Sequence, residues 1–73
     1  MMKSKHFGRI LRNRREELGW SLQKVSELCN MSTKGYEKIE LGDSNPRLLT
    51  ALKVIRVLGL SASILDDCML DIE

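Results

Sequence analysis

The stretch from Ser21 to Gly42, SLQKVSELCNMSTKGYEKIELG, constrains this chain more than any other part of it. Ser21 can accept a hydrogen bond from a backbone N–H in the first turn of a helix that follows it. Trp20 and Val25 flank that cap at the spacing of a hydrophobic staple. Ser32 repeats the arrangement, with Met31 and Tyr36 as its staple pair. Two caps eleven residues apart leave room for about two helical turns and a bend. The helices must therefore cross steeply at Cys29-Asn30-Met31, where Asn30 can take the left-handed conformation, though less readily than glycine. This is a helix-turn-helix in sequence form.

The flanks read as further helices, at about 5–18, 46–58 and 62–70, around the pair at 22–29 and 33–41. The expectation is an all-α, compact five-helix bundle forming one domain over residues 1–73. Phe7, Leu11 and Leu18 mark the inward stripe of the first helix, with Ile10 alongside, and Gly19 ends it. Arg15 falls on that stripe, and a guanidinium facing a core needs a paired acid. Val25, Leu28 and Cys29 are expected to bury in the second helix, and Tyr36 and Ile39 in the third. Glu40, one turn after Tyr36, then points inward and is the partner expected for Arg15. The same placement leaves Lys34, Glu37, Lys38 and Leu41 on the opposite face, with Thr33 at its edge. Asn45 is expected to cap a fourth helix with Pro46 in its first position. Its core stripe is Leu48, Ala51, Leu52, Ile55 and Leu58, and Gly59 closes it. Ser61 is expected to cap a last helix carrying Ile64, Leu65, Cys68 and Met69.

Charge is unevenly placed. Residues 1–38 hold nine Lys/Arg against four Asp/Glu, and residues 39–73 hold three against six, so +5 and −3 sum to +2. A basic first half suggests a face turned toward a polyanion, although solubilising charge alone explains as much until geometry is added. Cys29 and Cys68, separated by 38 residues with one histidine, His6, in the chain, form neither a metal-ligand nor a redox motif. Both cysteines are read as small buried residues in a reducing cytoplasm, and His6 as solvated. No apolar run is long enough to span a membrane, and the start lacks a secretory signal. No cofactor or small-molecule ligand is indicated. Nucleophile–base pairs and phosphate-cradling glycine loops are also missing, which argues against an enzyme.

In order along the chain stand R-x-x-x-G at Arg15–Gly19, Ser21 and Met31-Ser32 opening two helices, and I-E-x-G at Ile39–Gly42. Asn45-Pro46 and L-G-L-S at Leu58–Ser61 follow. Together these resemble the helix-turn-helix family of phage Cro proteins and lambdoid repressors, the XRE family, over roughly Phe7 to Leu65. The resemblance implies a lambda-repressor-like fold and again pairs Arg15 with Glu40. Departures include Ser26 where the family has a small alanine, Asn30 for the corner glycine, Tyr36 for an aliphatic residue, and Leu22 for a phosphate-contacting glutamine. Gly35 weakens its helix by about 1 kcal/mol relative to alanine; it either permits close approach to a groove wall or is simply tolerated.

Such a family member implies cytoplasmic, sequence-specific binding of double-stranded DNA, with transcription regulated as a repressor. Base reading then falls to Ser32, Thr33, Lys34, Glu37 and Lys38 in the major groove. Ser21, Arg47 and Arg12 are the phosphate candidates, with Lys5 adding to the field. Arg9 and Arg14 read equally as plain surface charges. A homodimer is expected, with Leu49, Val57, Met69, Leu70 and Ile72 as candidate contacts or, equally, ordinary surface hydrophobics. The competing function is a protein-interaction module of the same fold, antitoxin-like or regulatory, with weak or no DNA binding. Leu22, Glu37 and the modest net charge favour it slightly.

Overall fold

The computed structural model describes residues 4–65. Among them are four helices and no strand: α1 (Ser4–Leu18), α2 (Leu22–Leu28), α3 (Thr33–Leu41) and α4 (Leu48–Val57). Both serine caps form. Ser21 Oγ accepts from Lys24 N at 3.0 Å and Ser32 Oγ from Gly35 N at 3.0 Å. At the corner, Asn30 N donates to Glu27 O and Met31 N to Ser26 O, with Asn30 at φ 57°. These paired bonds satisfy carbonyls that the end of α2 would otherwise orphan. The ends of α1, α3 and α4 close through the same two-bond pattern.

Phe7 and Leu11 of α1, Val25 and Cys29 of α2, and Tyr36 and Ile39 of α3 are buried in one core. Ala51, Val54, Ile55 and Leu58 complete it from the α4 side, together with Leu65. The expected fifth helix lies mostly outside the described residues, as do Cys68, Met69, Leu70 and Ile72. The part described is a turn at Ala62 and Ser63 that leads into helical Ile64 and Leu65, with Ile64 N donating to Ser61 O and Leu65 N to Ala62 O.

Three details differ from expectation. Leu28 is 49% exposed; α2 spends its buried face on Val25, Ser26 and Cys29, and Leu28 falls outside that arc. Leu48 is 56% exposed, and Val54 is buried instead. The core stripe of α4 is 51, 54, 55, 58, a full helical repeat that leaves the first-turn leucine beyond the core. Finally, α4 begins at Leu48 with Arg47 as its N-cap residue and no side-chain cap bond. Proline's fixed φ suits an extended approach as well as a helical one, so Pro46 does not start the helix.

Besides its core residues, two close approaches help to seat α1. A Cβ at Gly8 would overlap the Glu40 carbonyl oxygen and lie 2.5 Å from that of Ile39. The backbones of α1 and α3 therefore meet at Gly8. Farther along, Arg14 Nε donates to Leu58 O at 2.9 Å. A cation at the carbonyl end of α4 is favourable to the helix dipole and satisfies a terminal acceptor. Arg14 is thus a tie between helices rather than a plain surface charge. No helix among the described residues is long and apolar enough to cross a membrane.

Tyr36 is fully buried, and its hydroxyl has no hydrogen-bond partner. Burial first, and then the adjacent Glu40 carboxylate, push the phenol well above its ordinary value. The unfolded chain loses this proton near pH 10, whereas the folded chain holds it to higher pH. Stability should therefore fall as pH rises past about 10. Tyr36→Phe is expected to lessen that dependence, leaving the share due to the buried Cys29 thiol, and to raise stability by about 1 kcal/mol, because an unsatisfied hydroxyl leaves the core. Urea denaturation of both chains between neutral and alkaline pH checks this; a destabilised Tyr36→Phe would mean the hydroxyl is bonded after all.

Candidate nucleic-acid interface

The inward residues of α3 determine what it presents outward. Tyr36, Ile39 and Glu40 are buried, so Ser32, Thr33, Lys34, Lys38 and Leu41 are exposed. Lys34 and Lys38, four residues apart, lie one above the other on a single face. Glu37 is half-buried and lines a cleft with Arg12, Arg15, Leu22, Glu40 and Leu41. The five residues expected to read bases therefore do not stand alike, since Glu37 sits at the rim where α3 meets α1 and α2.

The orientation of α3 is held by Arg15. Its Nε donates to Glu40 Oε2 at 2.7 Å and its Nη2 to Glu40 Oε1 at 3.1 Å, a two-pronged ion pair. Its Nη1 donates to Trp20 O at 2.9 Å, while Trp20 N donates back to Arg15 O. One guanidinium thus joins α1, the α1–α2 turn and α3. The side chains are 13% and 5% exposed, so water screens the pair little. Hydrogen bonding to Glu40 raises the Arg15 pKa further, against the opposing effect of burial.

Beside this pair, Lys5, Arg9 and Arg12 line a second cleft with Glu40 and Leu41. Their spacing of four and three puts all three on one face of α1. Arg9, readable as a plain surface charge, belongs with Lys5 and Arg12; the i, i+4, i+7 spacing was the available signal. Arg12 also pairs with Glu16 at 3.2 Å, an exposed contact that a stronger anion could displace. Ser21 and Arg47 are both exposed. Ser21 Oγ already accepts from Lys24 N, which leaves its own proton free to donate. Gly35 carries no unusual backbone angle, and a Cβ there would meet Ser32 Oγ at 2.9 Å.

Ser26 stands where the family has a small alanine. It is buried, and its hydroxyl contacts Gln23 O at 2.9 Å and Thr33 Oγ1 at 3.2 Å. It is a polar link from α2 to the first residue of α3. On α4, Leu49 is 79% exposed, whereas Val57 packs partly on the core. A shallow groove there is lined by Leu49, Leu52, Lys53, Arg56 and Val57. Cys29 is buried and free, and burial pushes its thiol upward.

Comparison with known proteins accords with this architecture. Residues 11–65 match the family described as Helix-turn-helix. Over 59 residues, 81% of the chain, it is 34% identical to the SPbeta prophage-derived uncharacterized HTH-type transcriptional regulator YonR of Bacillus subtilis. The match takes in 55% of that relative, so the chain spans about half the length of the protein it resembles. The matched segment contains the capped pair α2–α3, the Arg15–Glu40 bridge that orients it, and the α4 stripe beneath it, and the chain belongs to the Cro/C1-type helix-turn-helix family.

Proposed function

We propose that this chain is a DNA-binding transcriptional regulator that lays α3 in the major groove and acts as a repressor by occupying its operator. The observation that carries the proposal is the open face of α3. Lys34 and Lys38 project to solvent while Tyr36, Ile39 and Glu40 fix the helix from behind. Lysine can donate to guanine O6 and N7, and Ser32 and Thr33 stand at the helix start, where base edges come nearest. Glu37, half-buried at the rim, is suited to accept from cytosine N4. Ser21, Arg47 and Arg12 are the proposed phosphate contacts, with Lys5 and Arg9 extending the positive field along α1.

One α3 touches few base pairs, so the proposed binding species is a homodimer on half-sites about 10 base pairs apart. Exposed Leu49 and the groove along α4 are the proposed contact within the described residues. Met69, Leu70 and Ile72, also candidates, lie outside them.

Enrichment of a random duplex pool, followed by band-shift titration at two salt concentrations, tests this reading. A near-palindromic sequence should emerge, with a log–log salt slope of about one unit per phosphate contacted. Lys34→Ala should weaken binding by about 1–3 kcal/mol and relax choice at one base position per half-site. Unchanged binding by that variant would remove Lys34 from the interface. A second reading, a protein-interaction module, draws on Leu41, which is 54% exposed, and on half-buried Leu22 in the adjoining cleft. No salt-sensitive DNA binding by the parent chain would favour it.

A further inference from the structure

The Ser26–Thr33 contact has a direction, and the direction follows from counting protons. A hydroxyl has one proton to give, and a carbonyl oxygen has none. The 2.9 Å contact between Ser26 Oγ and Gln23 O is attractive only if Ser26 donates there. Ser26 is 1% exposed, so water offers its proton no alternative. Its proton spent, Ser26 can meet Thr33 Oγ1 at 3.2 Å only as an acceptor. The Thr33 proton therefore points back into the protein. What Thr33 turns outward, from the first residue of α3, is lone-pair density and a methyl group.

We infer that Ser26 is a positioning residue for specificity: it commits Thr33 to act as a hydrogen-bond acceptor toward DNA, so that Thr33 selects against guanine at the base it faces. In the major groove adenine N6 and cytosine N4 are donors, and thymine sets a methyl beside its O4 acceptor. Guanine offers only O6 and N7, both acceptors, which an acceptor-only threonine meets with repulsion. The inference rests on the proposed DNA-binding reading and assigns one position of the operator a chemical preference. It also gives Ser26, placed where the family has alanine, a role in what is read.

The test uses the full chain, Ser26→Ala and Thr33→Val, each enriched against the same random duplex pool. The parent should deplete guanine about tenfold at one position of each half-site. Ser26→Ala frees the Thr33 proton, and guanine should return at that position while the others stay unchanged. Thr33→Val, left with neither donor nor acceptor, should lose the preference for adenine and cytosine and the exclusion of guanine together, keeping only an apolar contact for the thymine methyl. Identical base preferences in parent and Ser26→Ala, or an even loss at every position, would overturn the inference while leaving DNA binding in place. A parent that enriches no duplex would overturn it together with the reading beneath it. Proton NMR at low temperature supplies a readout without DNA: the Thr33 hydroxyl proton should exchange slowly in the parent and rapidly in Ser26→Ala. Equally rapid exchange in both would overturn the inference.

Discussion

Glu40→Ala is expected to lower folding stability by about 3 kcal/mol, the lower end of the range for stranding a buried charge. The deletion removes both acceptors of the Arg15 fork, at 2.7 and 3.1 Å. The guanidinium cannot discharge itself at any ordinary pH, so it must stay charged or drag its helix outward. Its remaining bond to Trp20 O and its 13% exposure spare it part of the full penalty. Glu40→Gln retains one good acceptor and should lose less. Replacing both partners together by apolar residues of similar volume should recover much of the loss, because no unpaired charge remains. Chemical denaturation of the three variants measures this. A loss below about 1 kcal/mol for Glu40→Ala would mean the pair contributes little beyond solvent-exposed bridges.

The second large effect is expected at Gly8. Intrinsic propensity favours Gly8→Ala by about 1 kcal/mol in a helix interior. Sterics oppose it, since the new methyl would overlap Glu40 O and crowd Ile39 O at 2.5 Å. Both obstacles are backbone, so no side chain can rotate away and the helices must part. Overpacking of this kind costs typically 1–3 kcal/mol and occasionally more. Because α1 carries Arg15 to Glu40, any parting also lengthens the ion pair. The expected net result is a loss of about 2–3 kcal/mol, opposite in sign to the propensity argument. A thermal melt at or above the parent's midpoint would show that α1 can shift without penalty.

Both predictions concern one crossing, and it was only half legible in the chain. Arg15 could be placed because a charge on an apolar stripe calls for a partner and Glu40 has the right phase. The serine caps and the corner asparagine were legible because each satisfies neighbouring backbone groups. Gly8 left no such trace: within its own helix it is merely a weak former, and its reason lies across the fold on α3. Leu28 and Leu48 misled for the converse reason. A leucine next to a stripe fits it by period, and only the width of the facing surface decides which one is covered. Ser26 shows in the sequence only as a departure from alanine, and what its hydroxyl does depends on two oxygen neighbours that the fold supplies. At the outer face of α3, sequence could name the side chains, but the rim position of Glu37 needed the helix crossing, whereas the company of Arg9 was written in its spacing along α1.

The attachments of α3 all lie behind it or at its two ends: Tyr36, Ile39 and Glu40 inside, the Ser32 cap, the Gly42 close. None of these attachments uses the side chain of Lys34 or Lys38. Scaffold and message are thus written in separate letters. On the proposed reading, descendants can exchange those two lysines for new targets while inheriting an undisturbed frame, and the outward residues tied to that frame, Ser32 by its cap and Thr33 through Ser26, are where such drift meets resistance.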